Sequence, residues 1–227
     1  ELVSNGTYQD LPDRGISKET CELYQYQTGE VYNRPSHIEH YYSNNEIVAQ
    51  KIRILPKQFV WKGNKYSVDF FGQHLYKEQK RLIITEGAID AMSIAQVLKD
   101  YDTTLVISLK EGAGQGKTIR EFEQKLSFLE SFEHIILCFD KDKAGETSFR
   151  EVVNMFRPGL IHVVDFNKKD ANEYLKVDGG EELFKEILNS SRYKPECIHA
   201  PSLISLKTPK PFGLSLPFPI LNETIRG

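Results

Sequence analysis

Five carboxylates in this 227-residue chain stand where a short apolar run gives way to a turn. Glu86 and Asp90 lie in Thr85-Glu86-Gly87-Ala88-Ile89-Asp90, Asp140 and Asp142 in Phe139-Asp140-Lys141-Asp142-Lys143-Ala144-Gly145, and Asp170 in Lys169-Asp170-Ala171-Asn172-Glu173. In an open α/β sheet, ligands gather beyond the carboxyl ends of the strands, so residues that directly follow apolar runs share one rim. Anions crowded on one rim repel each other unless cations neutralise them. Such hard oxygen ligands suit magnesium or manganese bridging substrate phosphates, and two such ions can clamp the attacking and leaving oxygens of a phosphoryl transfer. Taken singly, an Asp or Glu at a strand end more often caps a helix or sits solvated in a turn. The repetition at Glu86, Asp140 and Asp142, ending neighbouring strands, is what favours the chemical reading.

The elements that must position these groups begin at Arg81. Strands are predicted at Leu82 to Thr85, Thr104 to Ser108, His134 to Phe139 and Ile161 to Val164. Helices are predicted near Ala88 to Lys99, Ile119 to Leu129 (opened by a capping box of Thr118 and Glu121), Gly145 to Phe156 and Glu181 to Asn189. Strands and helices alternating at this spacing imply an α/β fold, a parallel sheet flanked by helices over residues 81–192. Residues 1–80 read as a smaller mixed α+β subdomain. Its helix is expected at Ser17 to Tyr24 with Ser17 as N-cap, and its strands at Ile47 to Leu55 and Gln58 to Trp61 around a turn at Pro56. From residue 193 to 227 six prolines at 195, 201, 209, 211, 217 and 219 mark a linker.

A net charge of −3 does not announce a nucleic-acid protein, yet Ile47 to Lys80 holds seven cations against two acids. Cys21, Cys138 and Cys197 lie far apart, form no CxxC pair and offer no zinc site, which favours a reducing compartment. No apolar run is long enough for a membrane span, and no signal-peptide pattern opens the chain at Glu1.

The pattern Glu86-Gly87…Asp90 followed by Asp140-Lys141-Asp142-Lys143-Ala144-Gly145 resembles the TOPRIM domain shared by primases and topoisomerases. Arg14-Gly15-Ile16-Ser17-Lys18-Glu19-Thr20, Gln50-Lys51-Ile52-Arg53, Phe71-Gly72-Gln73-His74-Leu75 and the Lys169–Glu173 motif narrow it. Together they look like the primase half of the bifunctional primase-helicases of short-tailed bacteriophages, relatives of mitochondrial Twinkle. The resemblance implies a DNA primase, a nucleotidyltransferase that joins ribonucleoside triphosphates into primers on single-stranded DNA. It makes Glu86 the catalytic acid and a metal ligand, with Asp140 and Asp142 as metal ligands and Asp90 and Asp170 as supporting acids. Lys51 and Lys57 become the basic residues that hold nucleotide phosphates and template, with Arg53 and Lys141 beside them; Trp61 is the aromatic most worth testing as a base-stacking contact. Two Mg2+ or Mn2+ ions are the expected cofactors, and zinc belongs only to an N-terminal domain that this chain lacks. Leu216 to Gly227 looks like the start of a helicase domain, so the expected partners are that domain, a ring oligomer formed through it, and a replicative DNA polymerase. The expected location is the cytoplasm of an infected bacterial cell.

Other readings compete. Gly112-Ala113-Gly114-Gln115-Gly116-Lys117-Thr118 imitates a phosphate-binding Walker loop, but Glu111 stands where its first glycine belongs, so a flexible glycine loop facing the active site or the template is preferred. Asp140, Asp142, Gly145 and Glu151 imitate a calcium-binding loop, but Ala144 removes one ligand. His37 and His40 read as turn or surface residues. Strand cleavage by a TOPRIM nuclease or topoisomerase would use the same acids, and a catalytically idle DNA-binding scaffold would use none of them.

Overall fold

A computed structural model describes residues 1–194 apart from 102, 113 and 115. The predicted linker and helicase-like segment fall almost wholly outside the described residues. Residues 1–193 form one compact unit built on two sheets.

The first sheet is antiparallel, in the order β1 (Tyr26–Val31), β2 (Arg34–Ser43), β3 (Glu46–Ile54), β4 (Gln58–Gly63), and follows helix α1 (Lys18–Leu23), whose N-cap Ser17 accepts from the Thr20 amide. Side chains alternate across a strand, so Gln50-Lys51-Ile52-Arg53-Ile54 points its cations to one face and its isoleucines to the other. Ile52 and Ile54 pack with Ile38 and Val31 in a small apolar cluster. The opposite face carries Lys51 and Arg53 beside their cross-strand partners Glu39 and His37.

The second sheet has the order β6-β5-β7-β8-β9, with β5 (Arg81–Thr85), β6 (Thr104–Ser108), β7 (His134–Cys138) and β8 (Ile161–Val163) parallel and β9 (Ser191–Arg192) antiparallel at one edge. Leu82, Ile84, Leu105, Ile107, Ile135 and Leu137 pack on one face against α3 (Lys117–Gln124), α4 (Leu126–Leu129) and α5 (Lys143–Val153). Ile83, Val106 and Ile136 face the other way, onto α2 (Ala88–Val97), α6 (Ala171–Asp178) and α7 (Glu181–Leu188). This is the expected α/β arrangement, a mostly parallel sheet flanked by helices behind an α+β module. Phe71, in the segment that connects the two sheets, bridges to Ser108 at the end of β6. An apolar cluster of Tyr24, Tyr26, Tyr41, Phe71 and Met92 adds to the joint, and Tyr24 donates its hydroxyl to Val106 O at 2.9 Å.

Three expectations are corrected. The capping box does not form. Helix α3 starts at Lys117 behind Gly116; Thr118 donates instead to Ser148 Oγ at 3.1 Å, and Glu121 accepts the Lys110 amide at 3.0 Å, because buried tertiary partners outweigh a local cap. The single helix expected over 119–129 is two, α3 and α4. His40 is neither turn nor surface: it is 6% exposed within β2, its Nδ1 2.7 Å from Gln25 O.

Candidate active site

The carboxyl ends of β5, β7 and β8 deliver the acids. Glu86 follows β5, and its Oε1 accepts the Asp140 amide at 3.0 Å, so these two rim residues touch. The approach depends on Gly145. A Cβ there would stand 2.5 Å from Glu86 Oε1 and 2.3 Å from the Asp140 carbonyl oxygen. Asp142 caps α5, its Oδ1 accepting from the Ala144 and Gly145 amides at 2.9 and 3.0 Å. Asp170 caps α6 through the Glu173 amide at 2.9 Å. Asp90, in the first turn of α2, accepts the Asn172 amide at 3.1 Å.

Burial, then the charge on Asp170 and on Asp142, pushes the Asp140 carboxyl up to about 6. Burial, then Asp170 and Asp140, pushes Asp90 up to about 7. These groups are therefore close enough to disfavour each other's charge, which is the condition a bound cation relieves. Among the described residues, no three His, Cys, Asp or Glu side chains stand in ready coordination geometry. Backbone amides hold the acids on the rim, and the donor set is all oxygen. That fits magnesium, which retains its waters and is commonly held by one or two carboxylates together with substrate phosphate.

The cations arrive from the first sheet. Lys51 and Arg53 line a cleft of about 200 Å3 with Asp90, Asp170, Asn172, Arg14, Glu39 and Phe59. Lys51 Nζ is 3.6 Å from Glu39 Oε2, the oxygen that also accepts the Tyr41 hydroxyl at 2.9 Å, and lies 5.4 Å from the centre of the Phe59 ring. The wider surplus of positive charge does not form one face, since Lys65 pairs with Glu111 and Lys80 with Glu133. Lys57 sits on the exposed turn between β3 and β4, outside the cleft lining. Trp61 packs on Tyr41 with ring centres 4.8 Å apart, and Lys141 reaches Asp165 at 2.7 Å; neither lines the cleft.

Three cleft residues bore no role in the sequence reading. Arg14 is held by Asn172, whose Oδ1 accepts from Arg14 Nη1 at 3.3 Å and whose Nδ2 donates to Arg14 O at 2.8 Å. Both stood inside quoted motifs, which was the available signal. Glu39 had none beyond its alternation with Tyr41 along a strand. The glycine loop, where described, turns inward: the Gly114 amide donates to Ser148 Oγ, and the Gly116 amide to the Glu151 carboxylate. Glu151, one of the four residues that imitate a calcium-binding loop, is thereby committed to the glycine loop instead.

A parallel sheet with acids on its carboxyl rim, faced by a cation-bearing antiparallel sheet, defines a Toprim-like chain with an added α+β module. Residues 83–175 match the family described as Toprim-like, and residues 6–63 match the N-terminal α+β fold of the bacteriophage T7 DNA helicase/primase. The DNA helicase/primase of Enterobacteria phage T3 is 35% identical over 205 residues, which are 90% of this chain and 35% of that protein. The primase fragment of the bacteriophage T7 primase-helicase matches with a TM-score of 0.72 and 32% identity, over 81% of this chain and 76% of that one. A chain from a structure of T7 lagging-strand DNA polymerase interacting with primase domains bound to an RNA/DNA hybrid and dTTP matches at 0.76 and 31%, over 84% and 95%. The chain belongs to the family of bacteriophage primase-helicases, as their primase part. It spans 35% of the length of the phage T3 relative.

Proposed function

We propose that this chain is a DNA primase domain that joins ribonucleoside triphosphates into short primers on single-stranded DNA by nucleotidyl transfer. The observation that carries the reading is the convergence of Lys51 and Arg53 with Asp90 and Asp170 in one cleft at the carboxyl rim, one turn of chain from the Glu86–Asp140 contact. Lys51 and Arg53 neutralise and orient the triphosphate. Glu86, fixed by the Asp140 amide, faces the site where the primer's 3′-hydroxyl loses its proton. Glu86, Asp140, Asp142 and Asp170 are the residues that would hold a pair of magnesium or manganese ions. Once bound, such ions supply charge stabilisation at the attacking and leaving oxygens. The protein's own contribution is positioning and fixed charge. The phage T3 DNA helicase/primase supports a helicase domain as a partner of this one, and the T7 structure of primase domains interacting with a lagging-strand DNA polymerase supports contact with a replicative polymerase. Among the described residues no helix is long and apolar enough to cross a membrane.

Strand cleavage in the manner of a topoisomerase needs a nucleophilic tyrosine at the acids. Tyr26, which lines the cleft, is 2% exposed and its hydroxyl is pushed far above its ordinary value by burial. Incubation with a single-stranded template, labelled ribonucleotides and magnesium is expected to give short oligoribonucleotides, while supercoiled DNA stays intact. Nicking without ribonucleotide products would reverse the assignment.

A further inference from the structure

The amino ends of the parallel strands, about 17 Å along β5 from Glu86, carry four basic side chains on four neighbouring strands. Arg81 on β5 stands opposite His134 on β7, and His162 on β8 stands opposite Arg192 on β9. All four share the face of Ile83 and Ile136, because His134 lies two residues before Ile136 and Ile136 pairs with His162. The two imidazoles meet edge to face with ring centres 5.0 Å apart. The Arg192 guanidinium lies against Gly159, where a Cβ would stand 3.3 Å from Cζ. Arg81 and Arg192 are exposed and the histidines half-buried, so the row opens to solvent.

Like charges directly opposite each other across a sheet destabilise it. Among the described residues none of the four forms an ion pair, and Glu133, the acid next to His134 in the chain, is held by Lys80 at 2.8 Å. Burial, then the positive charges of His134, Arg192 and Arg81, hold the His162 ring below the ordinary histidine value, against the pull of the Leu160 carbonyl that its Nδ1 meets at 3.3 Å. The chain thus tolerates the row by keeping an imidazole uncharged near pH 7. An anion would remove that cost.

Length selects the anion. Groups on four adjacent strands span roughly 14 Å, whereas a nucleic-acid backbone held by charge engages on the order of 6–10 phosphates. A single strand also stacks its bases on aromatic rings, and among the described residues the row's one ring contact is between its own histidines. An extended peptide turns a carboxylate to one face about every 7 Å, so two or three match the row. Arginine forks are shaped to take them.

We propose that this row is a docking site for an acidic peptide segment of a partner protein, gripped by the Arg81 and Arg192 guanidiniums with the two histidines between them. Fluorescence anisotropy tests it with a labelled octapeptide of alternating Asp and Ser, its Asn–Ser counterpart, and labelled oligo(dT). The chains compared are wild type, Arg81→Gln/Arg192→Gln and His134→Gln/His162→Gln; the arginine changes keep the side-chain stems at exposed positions. Wild type should bind the acidic octapeptide and not the neutral one, at least about threefold more tightly at pH 6 than at pH 8, because the bound anion draws a proton onto His162. The arginine variant should bind it about tenfold more weakly. The histidine variant should lose the pH dependence, and both variants should bind oligo(dT) as wild type does. A wild-type chain that does not bind the acidic octapeptide, or an arginine variant that binds it as tightly, overturns the proposal. Equal loss of oligo(dT) and peptide in the arginine variant makes the row a nucleic-acid surface and overturns it too.

Discussion

Replacing Gly145 with alanine places one methyl group where the rim of the sheet has no room for it. At an ordinary helical position the change from glycine would stabilise the chain by about 1 kcal/mol. Here the new Cβ would meet Asp140 O at 2.3 Å and Glu86 Oε1 at 2.5 Å. The carboxylate can swing aside, but the carbonyl oxygen belongs to the backbone at the end of β7, so the start of α5 must move as well. Overpacking of this kind costs about 1–3 kcal/mol, and losing the bond from the Asp140 amide to the Glu86 carboxylate costs about 1.5–3 kcal/mol. Set against the helical gain, the balance is a loss of about 3 kcal/mol. For a unit of this size that lowers the melting temperature by roughly 6–12 °C. Thermal unfolding followed by circular dichroism reads the loss directly, and nucleotide incorporation below the melting range should fall with it because Glu86 has left its place. A Gly145→Ala chain as stable as the wild type, or more so, would refute the proposed crowding.

Three further substitutions probe separate parts of the account. Glu121 is 7% exposed, and its carboxyl is pushed from 4.5 to about 7, chiefly by burial. The folded state therefore holds its proton more tightly than the unfolded state, and the stability this group lends at low pH is lost as pH rises through about 7. Glu121→Gln keeps an acceptor for the Lys110 amide and removes the buried charge, so its melting temperature relative to wild type should improve between about pH 5 and about pH 8; a constant difference would contradict this. Glu39→Gln leaves the Lys51 ammonium without its anion and should cost about 3 kcal/mol of stability and raise KM for ribonucleotides more than it lowers kcat; unchanged melting and KM would show that the pair does not position Lys51. Lys57→Ala should weaken single-stranded DNA binding and reduce its salt slope by about 0.7 while sparing KM for nucleotides, since Lys57 stands on an exposed turn away from the cleft. A raised KM with unaltered DNA binding would move Lys57 to the nucleotide.

The parallel sheet was legible because each of its four longer strands is a run of β-branched or apolar residues that ends in a polar turn. Helix α6 was not predicted, although Asp170 as cap and Ala171, Tyr174 and Leu175 at helical spacing mark it. Its first residues had been read only as a cluster of acids. The strands β1 and β2 carry no clear bounds in the sequence: Tyr26, Ile38, His40 and Tyr41 are all buried, so the face facing solvent is hard to distinguish. Within the site, residues along one strand end could be grouped from their spacing. The meeting of Lys51 and Arg53 with Asp90 and Asp170 could not, because it depends on how a sheet formed by residues 26–63 seats on another that begins at Arg81. Glu39 and Asn172 escaped for the same reason, since their partners are distant in the chain or defined by strand register.

Extension of a supplied primer on a single-stranded template with labelled ribonucleotides and magnesium, comparing wild type with Glu86→Gln, tests the central claim most directly. Gln keeps the shape and an acceptor for the Asp140 amide, so the fold should persist while the charge is gone. The wild-type chain should add nucleotides and the variant should be slower by on the order of 100-fold or more. Undiminished extension by a folded Glu86→Gln chain would contradict the assignment of this acidic rim as the catalytic centre.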